Sequence, residues 1–218
     1  MLFRSGDFKQ AIDYHMLHLT IAKEVGDRAG EGGAYCNLGI AYRSLGDFKQ
    51  AIDYHMLHLT IAKKVGDRAG EGRACCNVAI SYLHLPDFRK ATEHCMKCLD
   101  IAKLAGIKDL GRSTYVVLGD IHLRLGDLEG GVEHCLQSLS IADEIGNKIG
   151  AGRACCKLGV AYRSMGSIKF GIEYHKRHLN IARETGDRCG EACACYGLVV
   201  TMSCQVVCTR LWIVFVLV

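Results

Sequence analysis

The sequence predicts an all-α solenoid of antiparallel helix pairs, and three observations predict it. The 218-residue chain carries one proline against 25 glycines, so helices run unbroken while glycine is available to end them. Laid on itself at an offset of 40, the chain matches Gly6–Gly32 with Gly46–Gly72 at 26 of 27 positions, Glu24 against Lys64 being the one change. Within each unit, apolar residues recur at three- and four-residue steps, the period of a helix rather than a strand.

The register continues through Gly6, Gly46, Pro86, Gly126 and Gly166, through Ala22, Ala62, Ala102, Ala142 and Ala182, and through Gly26, Gly66, Gly106, Gly146 and Gly186. The unit is thus repeated at least to Gly186. One helix of the unit, helix B, has Phe48, Ala51, Ile52, His55, Leu59, Ala62 and Val65 on a single stripe. Asp47 caps its start, with Gln50 three residues on, and Gly66 supplies the left-handed residue that ends it. The other helix, helix A, has Ala74, Val78, Ser81, Tyr82 and Leu85 on its stripe, with Asp67 as its cap; only Leu85-Pro86 separates it from the next aspartate. Neither helix buries its stripe alone, so each hairpin stacks on the next and a continuous core forms only over several units. Gly39, Gly70 and Gly72 inside helix A each cost about 1 kcal/mol against alanine. Close helix approach is the expected return.

Composition narrows the function. The formal charge of +4 comes from 27 basic and 23 acidic residues spread along the chain, with no basic run of the kind that tracks phosphates, which argues against nucleic acid. Thirteen cysteines are an odd number, and Met1 to Asp7 holds no signal peptide, so the sequence points to a reducing cytoplasm with thiols used as small buried hydrophobes. His15 with His18, His55 with His58, Cys95 with Cys98, and His175 with His178 are pairs three apart on helix B. Such a pair offers a metal two ligands, but a tetrahedral site needs two more. Packing is the preferred reading, also for Cys189, Cys193 and Cys195. No nucleophile elbow, phosphate loop or H-E-x-x-H pattern is present, so neither an enzyme nor a cofactor is expected.

A period of 40 fits several helical arrays, and the side chains choose among them. Leu38-Gly39, Tyr42, Gly46-Asp47-Phe48 and Ala51 fall at the spacing of the tetratricopeptide pattern, and the frame returns at Leu118-Gly119 with Gly126-Asp127-Leu128, and at Leu158-Gly159, Tyr162 and Gly166. The chain therefore resembles a tetratricopeptide-repeat protein over residues 6 to 198, which implies a right-handed superhelix. More narrowly, Ala51-Ile52-Asp53-Tyr54-His55 through Gly66-Asp67-Arg68 to Cys75 resembles the repeats of Pins-type GoLoco scaffolds, the G-protein-signalling modulators, and equally related large arrays. That resemblance implies a cytoplasmic adaptor, at the cell cortex or on the cytoskeleton, in G-protein or polarity signalling. The GoLoco segment has no counterpart here.

In a tetratricopeptide superhelix the A helices line a concave groove. Counting along helix A with Leu38 at the seventh position, the resemblance places Arg73 and Arg153, then Asn37, Asn77 and Lys157, then Asp120, then Arg43, Arg124 and Arg163 toward it. Guanidinium forks read carboxylates and amides read backbone groups, so the expected partner is an extended, acidic protein or peptide segment. The lysine and asparagine positions of a chaperone-tail clamp hold Cys36, Cys76, Val116 and Cys156 instead, which disfavours a cochaperone.

Residues 1–198 are thus read as the repeat array, with partial first and last repeats, and residues 199–218 as an apolar C-terminal tail, truncated or non-native. The alternative reading makes that tail a membrane anchor, with Arg210 inside the span as the argument against it. Uncapped array ends also expose apolar surface through which copies can self-associate.

Overall fold

The structure is a computed structural model describing the backbone of residues 5–216 and the side chains of residues 8–204. Its described residues form ten helices and no strand: α1 Ser5–Glu24, α2 Arg28–Leu45, α3 Phe48–Val65, α4 Arg68–His84, α5 Phe88–Leu104, α6 Lys108–Leu125, α7 Leu128–Glu144, α8 Lys148–Ser164, α9 Ile168–Thr185 and α10 Arg188–Val216. Odd-numbered helices are the B helices of the sequence and even-numbered ones the A helices.

Helices α3 and α4 start on the aspartates that the sequence marks, and α3 stops on Gly66. Asp47 takes the backbone N–H of Gln50 at 3.1 Å, Asp67 that of Gly70 at 2.8 Å, and Asn147 that of Gly150 at 2.7 Å. These bonds satisfy N–H groups that have no partner within the helix. Eight glycines, twenty residues apart but for one gap, close the helices with φ between +68° and +86°, a conformation without penalty for glycine. The gap is Pro86, which stands in the same register with φ +24°.

The chain divides into two compact units, Met1–Val117 and Leu118–Val218. In the first, α1 packs on α2, α2 on α3, α3 on α4 and α4 on α5, and the A helices α2 and α4 also touch. Its core includes Leu19, Ala34, Tyr35, Leu38 and Ile61. In the second, α7 packs on α8, α8 on α9 and α9 on α10, and α8 also touches α10. Cys135, Leu139, Ala151, Cys155 and Leu158 lie in that core. The same aromatic stack recurs in each unit: Tyr42 on Tyr54 at 5.2 Å, and Tyr162 on Tyr174 at 5.4 Å.

α10 continues from Arg188 through Leu198 to Val216. The side chains of residues 205–218, where most of the expected apolar tail falls, lie outside the described residues, as do residues 1–4. Among the described residues no helix is long and apolar enough to cross a membrane. The membrane-tethered alternative rests on that tail and so falls mostly outside the described residues, and the tail carries no argument below.

Candidate partner-binding surface

In the first unit the contact between α2 and α4 brings three of the expected groove residues together. Arg43, half-buried near the end of α2, donates from Nη1 to Asn77 Oδ1 on α4 at 3.5 Å. The Asn77 amide in turn donates to Cys36 Sγ at 3.9 Å. Arg73 lies exposed on α4, its Nη2 3.6 Å from Asp67 Oδ2, an ion pair too long to be a hydrogen bond. The two guanidinium groups both act on the Cys36 thiol: burial raises its pKa, and Arg73 and Arg43 oppose that shift. Burial likewise pulls the Arg43 pKa below its ordinary value. Among the described residues Arg43 has an amide for a neighbour and no carboxylate in ion-pair contact. Asn37 is exposed nearly two turns before Arg43 on α2.

The second unit gathers a different set. Lys157 on α8 donates to Asp120 Oδ1 on α6 at 2.5 Å, and Arg124 Nη2 lies 3.4 Å from Asp120 Oδ2. Asp120 thus occupies two of the cations expected to meet an acidic partner. Arg153 and Arg163 belong to α8 but stand ten residues apart, about 15 Å along the axis, and the structure does not bring them together. Arg153 is exposed and Arg163 half-buried.

One feature of the first unit lies outside the expected set. A cleft of about 430 Å³ opens between α2, α3 and α4, with Arg73 and Asn37 at its edge and Gly33, Ile61, Ala62 and Val65 within it. Sequence reasoning placed only Arg73 and Asn37 here. The signal that marks the cleft is a comparison across registers: helix A has Gly33 where later units have Arg73, Ser113, Arg153 and Cys193.

Three of the four histidine and cysteine pairs are buried in this structure, while His15 is half-buried and His18 exposed. His55, His58, Cys95, Cys98, His175 and His178 are all buried, and among the described residues no group of three or more His, Cys, Asp or Glu side chains is arranged to hold a metal ion. The His178 ring lies where a side chain at Gly152 would reach, 3.3 Å from its Cβ. Cys98 Sγ sits 3.0 Å from Thr114 Oγ1 and 3.2 Å from the Gly72 carbonyl oxygen. Cys189, Cys193 and Cys195 are exposed on α10.

Residues 1–64 match one tetratricopeptide-repeat family model and residues 113–144 another, so the chain carries tetratricopeptide repeats. No curated protein sequence matches it. Among solved structures it is similar to BtubC from P. vanneervenii, at 16% identity over 90% of this chain and 83% of that one, with a TM-score of 0.77. Aspartyl phosphate phosphatase F from Bacillus subtilis follows at 15% identity, 90% and 53% coverage and a TM-score of 0.81. A Rap protein complexed with Competence and Sporulation Factor matches at 18% identity, 84% and 51% coverage and a TM-score of 0.76. The chain spans about half the length of the latter two. These identities show a shared fold and no more. The narrower likeness to Pins-type scaffolds has no support in these comparisons and is set aside, because the shared frame is that of the repeat, not of one family's repeat.

Proposed function

We propose that this chain is a non-enzymatic protein-interaction scaffold of the cytoplasm whose even-numbered helices hold an extended acidic segment of a protein or peptide partner. The observation that carries the reading is Arg43: a half-buried guanidinium held by an amide and facing no carboxylate. A desolvated cation without a counter-charge is costly on its own, and a ligand carboxylate removes that cost with a charge-assisted bond. Arg73, Asn77 and Asn37 lie on the same pair of helices and extend the polar surface along which a backbone can be read. The likeness of fold to a Rap protein complexed with a separate factor supports a binding role in a signalling context. Self-association belongs to the same reading, since α1 leaves Tyr14, Leu17 and Ile21 exposed.

Fluorescence anisotropy with acidic peptides on the full chain tests it. Arg43→Glu weakens binding by at least about tenfold, as expected for reversing a partly desolvated charge, while Lys49→Glu, an exposed change on α3, leaves it intact. Equal affinity in the two variants removes Arg43 from the site and the reading with it.

A further inference from the structure

The cleft in the first unit is open because two side chains are missing from it. At the register of Gly70 on α4, the next A helix has Leu110. There the leucine fills the space in front of the preceding A helix: a Cβ added at Gly72 would meet the Leu110 side chain first and Ile101 next. The equivalent space in front of Gly32 has Ile61 and the edge of the His58 ring against it and, with glycine at position 70, no counterpart of Leu110. Gly33 completes the opening, since nothing lies within 4 Å of where its Cβ would be.

What remains is a cleft with an apolar floor and a polar mouth. Ala29, Ile61, Ala62 and Val65 line it, and Val65 stays 48% exposed. Arg28, Asn37 and the long Arg73–Asp67 ion pair line it too, next to the Cys36 thiol on which Arg43 also acts. Its volume of about 430 Å³ falls in the range of about 300–1,000 Å³ typical of ligand sites. An apolar floor beside the Arg73 guanidinium, whose own partner Asp67 stands 3.6 Å away, complements a chain that carries an apolar residue next to an acidic one.

We propose that this cleft is a socket for one apolar side chain of the bound segment, which enters between α2, α3 and α4 in the place Leu110 takes in the next unit, while a flanking carboxylate pairs with Arg73 or Arg43. The proposal rests on the acidic-segment reading and adds a sequence preference to it. The partner is recognised by an apolar anchor within an acidic stretch, not by charge alone.

The test uses the full chain and nine-residue peptides of Asp, Glu and Ser whose central residue is Leu, Ile, Met, Phe or Ala. Wild type is expected to bind the central-leucine peptide about tenfold more tightly than the central-alanine one, the discrimination a hydrophobic pocket gives for a few methylenes. Gly33→Leu fills the cleft and abolishes that preference, so that the leucine and alanine peptides bind alike. Gly33→Ala has a smaller effect, and circular dichroism melts of both variants confirm folding. If wild type binds the leucine and alanine peptides equally, the socket is overturned and the acidic reading stands. If neutral central-leucine peptides of Ser and Gly bind as tightly as the acidic ones, the acidic reading falls and the socket stands. If no peptide binds, both fall.

Discussion

The imidazole of His55 on α3 occupies the space that a side chain at Gly39 on α2 would need: a Cβ there would come closer to the ring than real Cβ contacts allow. His55 is fully buried and neither ring nitrogen has a hydrogen-bond partner among the described residues. The relation repeats at Gly159, whose Cβ would lie 2.6 Å from His175, and with a smaller partner at Gly119, whose Cβ would lie 2.5 Å from Cys135 Sγ. At the same register in the remaining unit stand Ala79 and Cys95, both fully buried. Ring faces glycine, and thiol faces glycine or alanine.

Gly39→Ala therefore destabilises the chain by about 1–3 kcal/mol through overpacking, although alanine is worth about 1 kcal/mol more than glycine in an isolated helix. Adding His55→Cys to it, which copies the Ala79 and Cys95 combination, recovers most of the loss. Urea unfolding of the single and double variants measures the coupling.

Acid weakens the fold through the same histidine. Burial, with Arg43 on α2 and His58 on α3 adding to it, lowers the His55 pKa from 6.5 to about 3. Burial lowers those of His58, His175 and His178 as well. The unfolded chain thus takes up protons first, so stability is full above about pH 6.5 and is lost as pH falls through that value toward about 3. Melting temperatures recorded from pH 8 to pH 4 fall with acid, and the fall is shallower in the Gly39→Ala, His55→Cys double variant.

Asp120 holds Lys157 and Arg124, and it is the acidic member of an otherwise basic set in the second unit. Asp120→Asn frees Lys157 for an acidic ligand. Affinity for acidic peptides rises several-fold, and the gain shrinks with added salt because the freed charge is screened. Titrations at low and physiological ionic strength measure both effects.

Pro86 is the one residue that takes positive φ without being glycine among the described residues. Its ring prefers φ near about −65°, so the turn between α4 and α5 is strained relative to its eight counterparts. Pro86→Gly stabilises the chain by about 1 kcal/mol, the strain relieved outweighing the freedom given to the unfolded chain. A shift in the urea midpoint without a change in slope confirms it.

Much of this molecule was legible before any coordinates. The caps at Asp47 and Asp67 and the stops at Gly46 and Gly66 are local chemistry, written within four residues of where they act, and the structure places them as the sequence predicts. Arg43 with Asn77 was legible as a pair of groove positions, but not as a contact, because 34 residues separate them. The Lys157–Asp120 ion pair and the cleft before Gly32 were not legible either, since both depend on which side chain the next helix brings across.

The clearest division lies between α1 and α3, which are nearly identical in sequence. Repeat length and helix limits follow from the sequence alone, because each is a matter of periodicity or of one residue's own conformational range. Burial does not. Ile21 is 49% exposed and Ile61 is 6% exposed, while His18 is exposed and His58 buried. The same side chains in the same helix differ because α2 lies over Ile61 at Gly32. Burial is a property of the pair of helices, and only the tertiary structure supplies the second one.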